Sequence, residues 1–250
     1  MTAISIITAT FNSEKYIRAT YESICAQTFC DWSWCVTDDC STDSTWSILT
    51  ELASQDERVA IYRNDSNLGA AVSRNNSIDN AVGVYLAFLD SDDLWEPQKL
   101  SKQYNFMEKG YDFSFSGYSI CLDDGTMTGK KVDMSAPVAI NYDDLLVKRV
   151  TLGCSTVMLR KSYVAKQRMP LIRTGQDYAF WLLLLREAGG RAYQIAEALT
   201  KYRIAPGSIS RNKYLKAKRQ WQIYRSLEKL TVSKSAWCFL CYALRAVFRR

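Results

Sequence analysis

The first hundred residues alternate short apolar, β-rich runs with segments of helical period. Ile4–Thr10, Trp32–Thr37, Val59–Tyr62 and Val84–Leu89 read as strands. Between them, residues 13–27, 43–55 and 70–82 repeat apolar positions at three and four, as helices do. Ser13 is a partial N-cap signal for the first helix, and Asp43 caps the second. Strand and helix alternating at this spacing predict βαβ units, a mostly parallel sheet and an α/β fold. Ligands of such sheets sit beyond the carboxyl ends of the strands. Polar residues gather at those ends: Thr8 to Asn12, Asp38-Asp39, Asn64 to Asn67 and Asp90 to Asp93.

After residue 110 the pattern loosens. Residues 112–120 and 155–159 read as strands, and Asp123-Asp124-Gly125-Thr126 as a hairpin turn. Residues 142–149 read as a short helix. Residues 177–187 form a strongly apolar helix stopped by Gly189-Gly190. Pro206-Gly207 breaks the chain before two basic helices, about 212–230 and 234–249.

Composition narrows the chemistry. The 250 residues, 48% hydrophobic and 23% charged, suit one large globular domain or two fused halves. There is no histidine. A general base must therefore be Asp, Glu, Lys, Tyr or Cys, and a hard metal must be held by oxygens. The eight cysteines include one Cys-x-x-Cys, Cys238/Cys241, without a second ligand pair for zinc, and they read as buried free thiols. The start of the chain lacks a leader pattern, so a cytoplasmic location is expected. The net charge of +6 is uneven. Residues 211–250 hold eleven Lys/Arg and one acid, a net +10, which suggests an anionic partner.

Three carboxylates, Asp90, Asp92 and Asp93, crowd one strand end. A divalent cation would make that arrangement favourable, with substrate phosphates completing its shell. An acidic turn capping the next helix is the plain alternative. Asp177 is either a chemical group or a helix N-cap, and Arg74 either a phosphate or base contact or a solvated helix residue.

Five segments, in order over residues 4–205, resemble glycosyltransferase family 2, the inverting enzymes with the GT-A fold. They are Thr8–Asn12, Val36–Asp43, Asn67-Leu68-Gly69 with Ser73-Arg74-Asn75, Phe88–Asp93, and Gly175–Tyr178 with Trp181. The resemblance implies a Rossmann-like mostly parallel sheet flanked by helices, and a helical extension. It divides the chain into a nucleotide-sugar-binding half (1–112), an acceptor-binding half (113–210) and a basic amphipathic tail (211–250). It also implies roles. Asp39 and Arg74 would contact the nucleobase, usually uracil, with Thr8 beside them. Asp90 would sit near the ribose, with Thr10, Asn12 and Ser91 also on the donor. Asp92 would ligate Mn²⁺ or Mg²⁺, and Asp177 would be the catalytic base. Gly153, Ser155 and Trp181 would line the acceptor side. The family often has proline where Ala9 stands, glycine at Cys40 and glutamate at Gln176.

The implied activity is transfer of a sugar, most simply from a UDP-sugar, to a polyprenyl-diphosphate-linked saccharide in bacterial O-antigen or capsule synthesis. The tail would then rest on the anionic inner face of the cytoplasmic membrane. A sugar-phosphate nucleotidyltransferase would need a glycine-rich loop after the first strand, where Thr8–Asn12 stands. A phosphatase with a nucleophilic aspartate would carry its carboxylates there. A basic membrane- or nucleic-acid-binding module would need a continuous basic face, whereas residues 1–210 carry a net −4.

Overall fold

The computed structural model describes residues 2–204 and 213–248. Its first half is the expected set of βαβ units: β1 (Ile4–Thr10), α1 (Ile17–Cys25), β2 (Trp32–Asp38), α2 (Thr45–Gln55), β3 (Val59–Arg63), α3 (Ala70–Asn80) and β4 (Tyr85–Phe88). These strands lie parallel in the order β3-β2-β1-β4. They read as apolar runs because both faces are covered. Tyr85, Ala87 and Leu89 enter one core cluster with α1, α2 and α4 (Lys99–Met107). Leu86 and Phe88 enter the other, beneath α3 and α7 (Gln176–Glu187).

The second half extends the same sheet. Antiparallel β9 (Val157–Arg160) pairs with β4 and with β6 (Phe113–Leu122). Beyond β6 lies parallel β10 (Ala192–Ile204), then β5 (Leu94–Trp95), while β7 (Met127–Val132) and β8 (Ala139–Ile140) pair on β6 and β10. A boundary near residue 112 therefore falls within one continuous sheet. The 13-residue strand β10 has no counterpart in the hydrophobic pattern. Its register slips twice, between Ile195 and Ala198 and between Ala198 and Thr200, so inward and outward positions do not alternate regularly.

Several element ends also differ from the expected ones. Helix α1 starts at Ile17, not near 13, and Ser13 does not cap it. Ser13 instead donates its N–H to Thr45 Oγ1 (2.7 Å) and shares a hydroxyl hydrogen bond with Ser91 (2.9 Å). Asp43 does serve the start of α2, where its Oδ1 accepts the Thr45 N–H at 2.9 Å. The short helices α5 (Tyr142–Leu146) and α6 (Lys161–Val164) complete this half.

The tail forms α8 (Lys213–Gln222), a π-helical turn over Ile223–Leu227 and α9 (Val232–Phe248). It packs on the domain. Tyr224 is fully buried and donates to Leu146 O at 2.6 Å, and Leu230 and Cys238 join the core cluster. Among the described residues no helix is long and apolar enough to cross a membrane. The break at Pro206-Gly207 lies outside the described residues.

Candidate active site

The ends of β1, β2, β3 and β4 open on one crevice, and hydrogen bonds tie their loops together. At the end of β2, Asp39 is buried and accepts three N–H groups: Asn64 Nδ2 (2.8 Å), Leu68 N (2.9 Å) and Gly69 N (2.7 Å). Gly69 has φ +93°, a region that side-chain-bearing residues avoid, and it starts α3. Asp39 thus sets the loop that launches α3 and, one turn along it, Arg74. Cys40 adopts φ +63° and Asn12 φ +48°. A glycine would hold the first of these with less strain. Asn12 Oδ1 accepts Thr42 N at 2.9 Å, so it braces the β1 and β2 loops against each other.

Arg74 is 6% exposed. One terminal nitrogen donates to Asp90 Oδ1, while its Nε and other terminal nitrogen are buried with no partner among the described residues. Burial opposes its charge, but Cys154, Asp90 and Asp177 outweigh burial and hold its pKa above the ordinary value. Thr10 Oγ1 and Gln176 Oε1 are likewise buried without partners. Buried polar groups ordinarily find partners, so the two free nitrogens of Arg74 beside Asp90 leave room for a polar ligand.

The acidic segment splits by environment. Asp93 is 1% exposed, accepting from Ser155 Oγ (2.6 Å) and Arg203 N (2.9 Å). Burial, then the charges of Asp92 and Asp90, push its pKa well up. It is a structural link, and it caps no helix, since α4 begins at Lys99 behind Gln98. Asp90 faces Arg74. Asp92 is partly buried, and Arg203 Nε holds its backbone carbonyl (2.8 Å) rather than its carboxylate. Burial, then the neighbouring Asp90, raise the Asp92 carboxyl to about 6. A cation beside it would offset both effects. Among the described residues no three Asp, Glu or Cys side chains form a ready-made cage. The donor set instead suits a Mg²⁺ or Mn²⁺ ion taken by one carboxylate and completed by substrate phosphates.

Asp177 lies in the first turn of α7, which Gly175 starts at φ +74°. It is partly exposed and acts electrostatically on both Arg74 and Cys154, so the structure brings it to the crevice that holds Asp90.

The structure places three sequence-predicted contacts in bracing or core positions. Thr8 is fully buried; its hydroxyl donates to Leu89 O (2.8 Å) and accepts from Trp34 Nε1 (2.9 Å), so it braces β1 against its neighbours. Ser155 is not an acceptor contact. It accepts the Asp90 N–H (3.0 Å) and donates to Asp93, bracing the acidic turn from below. Trp181 is fully buried against Phe88, Phe113 and Phe180, with no face on the crevice. Gly153 precedes the 3₁₀ turn Cys154–Thr156, with space beside the Tyr118 ring. Ser91 is nearly buried, held by Ser13 and, through its carbonyl, by Thr20 Oγ1 (2.9 Å). Four of the eight cysteines are buried; Cys25 and Cys30 are exposed.

Arg203 escaped sequence reasoning, because it ends the unrecognised β10. Besides Asp92 it holds Asp123 O at 2.7 Å, joining the acidic turn to the β6–β7 hairpin. Cys154 was read only as a buried thiol, yet it sits among Arg74, Asp90 and Asp177, with its pKa pushed well up by burial.

The model of the family described as "Glycosyl transferase family 2" matches residues 5–165, most of the chain and every strand of this crevice. The chain belongs to glycosyltransferase family 2. This family 2 enzyme is 44% identical over 248 residues to the putative teichuronic acid biosynthesis glycosyltransferase TuaG of Bacillus subtilis, covering 99% of this chain and 97% of that one. It is 36% identical to WfaP of Escherichia coli, a UDP-Glc:alpha-D-GlcNAc-diphosphoundecaprenol beta-1,3-glucosyltransferase, over 100% and 96% of the two chains. Its fold matches that of S. aureus TarS, residues 1–349, solved with UDP-GlcNAc. The TM-score is 0.74 at 22% identity, over 89% of this chain and 64% of that one. The mannosyltransferase PcManGT of Pyrobaculum calidifontis, solved with GDP-Man and Mn²⁺, matches at TM-score 0.71 and 13% identity, over 96% and 68%. The GT-A fold is thereby shown.

Proposed function

We propose that this glycosyltransferase moves a sugar, with inversion, from a UDP-sugar to a hydroxyl of a saccharide carried on a polyprenyl diphosphate, in bacterial surface-polysaccharide synthesis at the inner face of the cytoplasmic membrane. The observation that carries the donor half is the pair of buried, partnerless nitrogens of Arg74 beside Asp90 and Asp92. An anionic, hydrogen-bonding ligand satisfies them. The acceptor half rests on the full-length likeness to WfaP, whose name gives UDP-Glc and a diphosphoundecaprenol-linked acceptor.

Asp92 would hold Mn²⁺ or Mg²⁺, which when bound neutralises the charge of the departing nucleoside diphosphate. Arg74 adds fixed positive charge in a water-poor site. A sugar hydroxyl is a poor nucleophile, and Asp177 takes its proton as it attacks the anomeric carbon. With one base and no separate protein nucleophile, attack comes from the face opposite the leaving diphosphate, and the anomeric centre inverts. Incubation with UDP-glucose, Mn²⁺ and a short-chain lipid-linked GlcNAc should release UDP and form a β-linked product. Retention at the anomeric carbon, or no release with any nucleotide-sugar, would overturn the proposal.

A further inference from the structure

Helix α9 has two sides. Ser235 and Cys238 face the domain and are buried. On the other side Trp237 (62% exposed), Leu240 (50%) and Leu244 (49%) are spaced three and four apart and form one ridge. No charged residue falls between positions 235 and 244. The helix's flanking cations are turned to the domain: Lys234 pairs with Asp143 at 3.1 Å, and Arg245 donates to Val147 O at 2.7 Å. Val232 extends the exposed apolar surface at the helix start. Trp221 of α8 lies edge-on to Phe239, with ring centres 5.8 Å apart.

The tail that carries the ridge is strongly basic, and the exposed acid beside the start of α9, Asp143, is paired with Lys234. The only acid in residues 211–250 is Glu228. Its side chain is 3% exposed, held by Arg186 and by the Tyr142 hydroxyl. Lys216, Lys218 and Lys229 are exposed.

We infer that α9 docks this ridge in the interface of an anionic lipid bilayer, lying along the surface rather than crossing it. The proposal deepens the lipid-linked acceptor reading and rests on it for its purpose, though not for its physics. The apolar ridge enters the acyl boundary, tryptophan settles at headgroup level, and the exposed lysines of a tail with a net +10 meet anionic headgroups. The charge of the tail favours this occupant: an apolar patch on a protein partner needs no such excess of cations. At 17 residues α9 is short for a span, and no described helix qualifies as one.

The test is co-sedimentation of the full chain with phosphatidylglycerol–phosphatidylcholine vesicles, comparing the native protein with the triple variant Trp237→Ser, Leu240→Ser, Leu244→Ser. The native protein should sediment with anionic vesicles, less with pure phosphatidylcholine and less at high salt. The triple variant should bind at least about tenfold more weakly while keeping its UDP affinity. Brominated lipids should quench the native fluorescence, and Trp237→Phe should remove most of that quenching, a check that does not depend on the triple variant folding. Equal sedimentation of both proteins, or a native dimer that the triple variant splits and that ignores vesicles, would overturn the inference. The two readings fail separately. Ridge-dependent vesicle binding without transfer to a vesicle-borne acceptor would remove the acceptor assignment alone. Transfer without ridge-dependent binding would remove this one.

Discussion

At the level of single residues, burial sorts chemically similar groups into different roles. Asp93 is a link between Ser155 and Arg203, whereas Asp92 is held by Arg203 through its backbone carbonyl, not its carboxylate. With its pKa raised to about 6, the proposed binding of a cation at Asp92 would depend on pH. A proton competes with the cation, so Mn²⁺-dependent UDP affinity should climb as pH rises through about 6 and level off above it. Titration calorimetry across that range measures this; a flat profile would contradict the Asp92 role. Stability of the metal-free protein should run the other way for this group. The folded carboxyl binds its proton more tightly than the ordinary 3.8, so its contribution falls as pH rises from about 4 through 6. Lys99 offers an independent check. Its Nζ is fully buried 3.8 Å from the Trp95 ring centre, without a hydrogen-bond partner, and burial pushes its pKa well down. Replacing it with methionine removes a buried polar group of similar length and should raise stability by about 1–3 kcal/mol, read as a higher urea midpoint. A drop would show that the cation–ring contact outweighs desolvation.

Among the elements, β1 to β4 and their helices were legible because a strand buried on both faces leaves an unbroken apolar run. The same simplicity misled at Thr8 and Ser155. A polar residue at a strand end can face the ligand or brace its neighbours, and only the partners decide which. Trp181 belonged to a motif, yet α7 turns it inward, to the core. Trp181→Ala should therefore cost about 3–5 kcal/mol of stability, whereas Trp181→Phe should leave acceptor KM unchanged. A raised KM in a stably folded Phe variant would restore it to the acceptor site. Strand β10 was not legible because its register slips hide the alternation, and Arg203 was lost with it. Arg203→Met should free the Asp92 carbonyl and weaken Mn²⁺-dependent UDP binding about tenfold, the order expected for a charge-assisted hydrogen bond. Unchanged binding, by the same calorimetry, would make Arg203 dispensable to the turn.

In the whole molecule, one continuous sheet runs through both halves of the chain, and the tail closes the second core cluster. The sequence points the tail to an anionic membrane surface, and in the structure it also packs on the domain. The structure gives α9 one buried side and one exposed apolar side, so packing leaves the ridge free for a surface. The basic balance of the chain is likewise a local property of that tail. The division of labour between the acidic turn and α7 is the central claim. It is tested most directly by measuring UDP affinity and UDP release, with Mn²⁺ and a lipid-linked acceptor, for Asp92→Ala and Asp177→Asn side by side. Asp177→Asn should bind UDP as the native enzyme does and lose about 10²–10⁴-fold in turnover, while Asp92→Ala should lose metal-dependent UDP binding itself. Near-native turnover of Asp177→Asn, or full metal-dependent binding by Asp92→Ala, would contradict it.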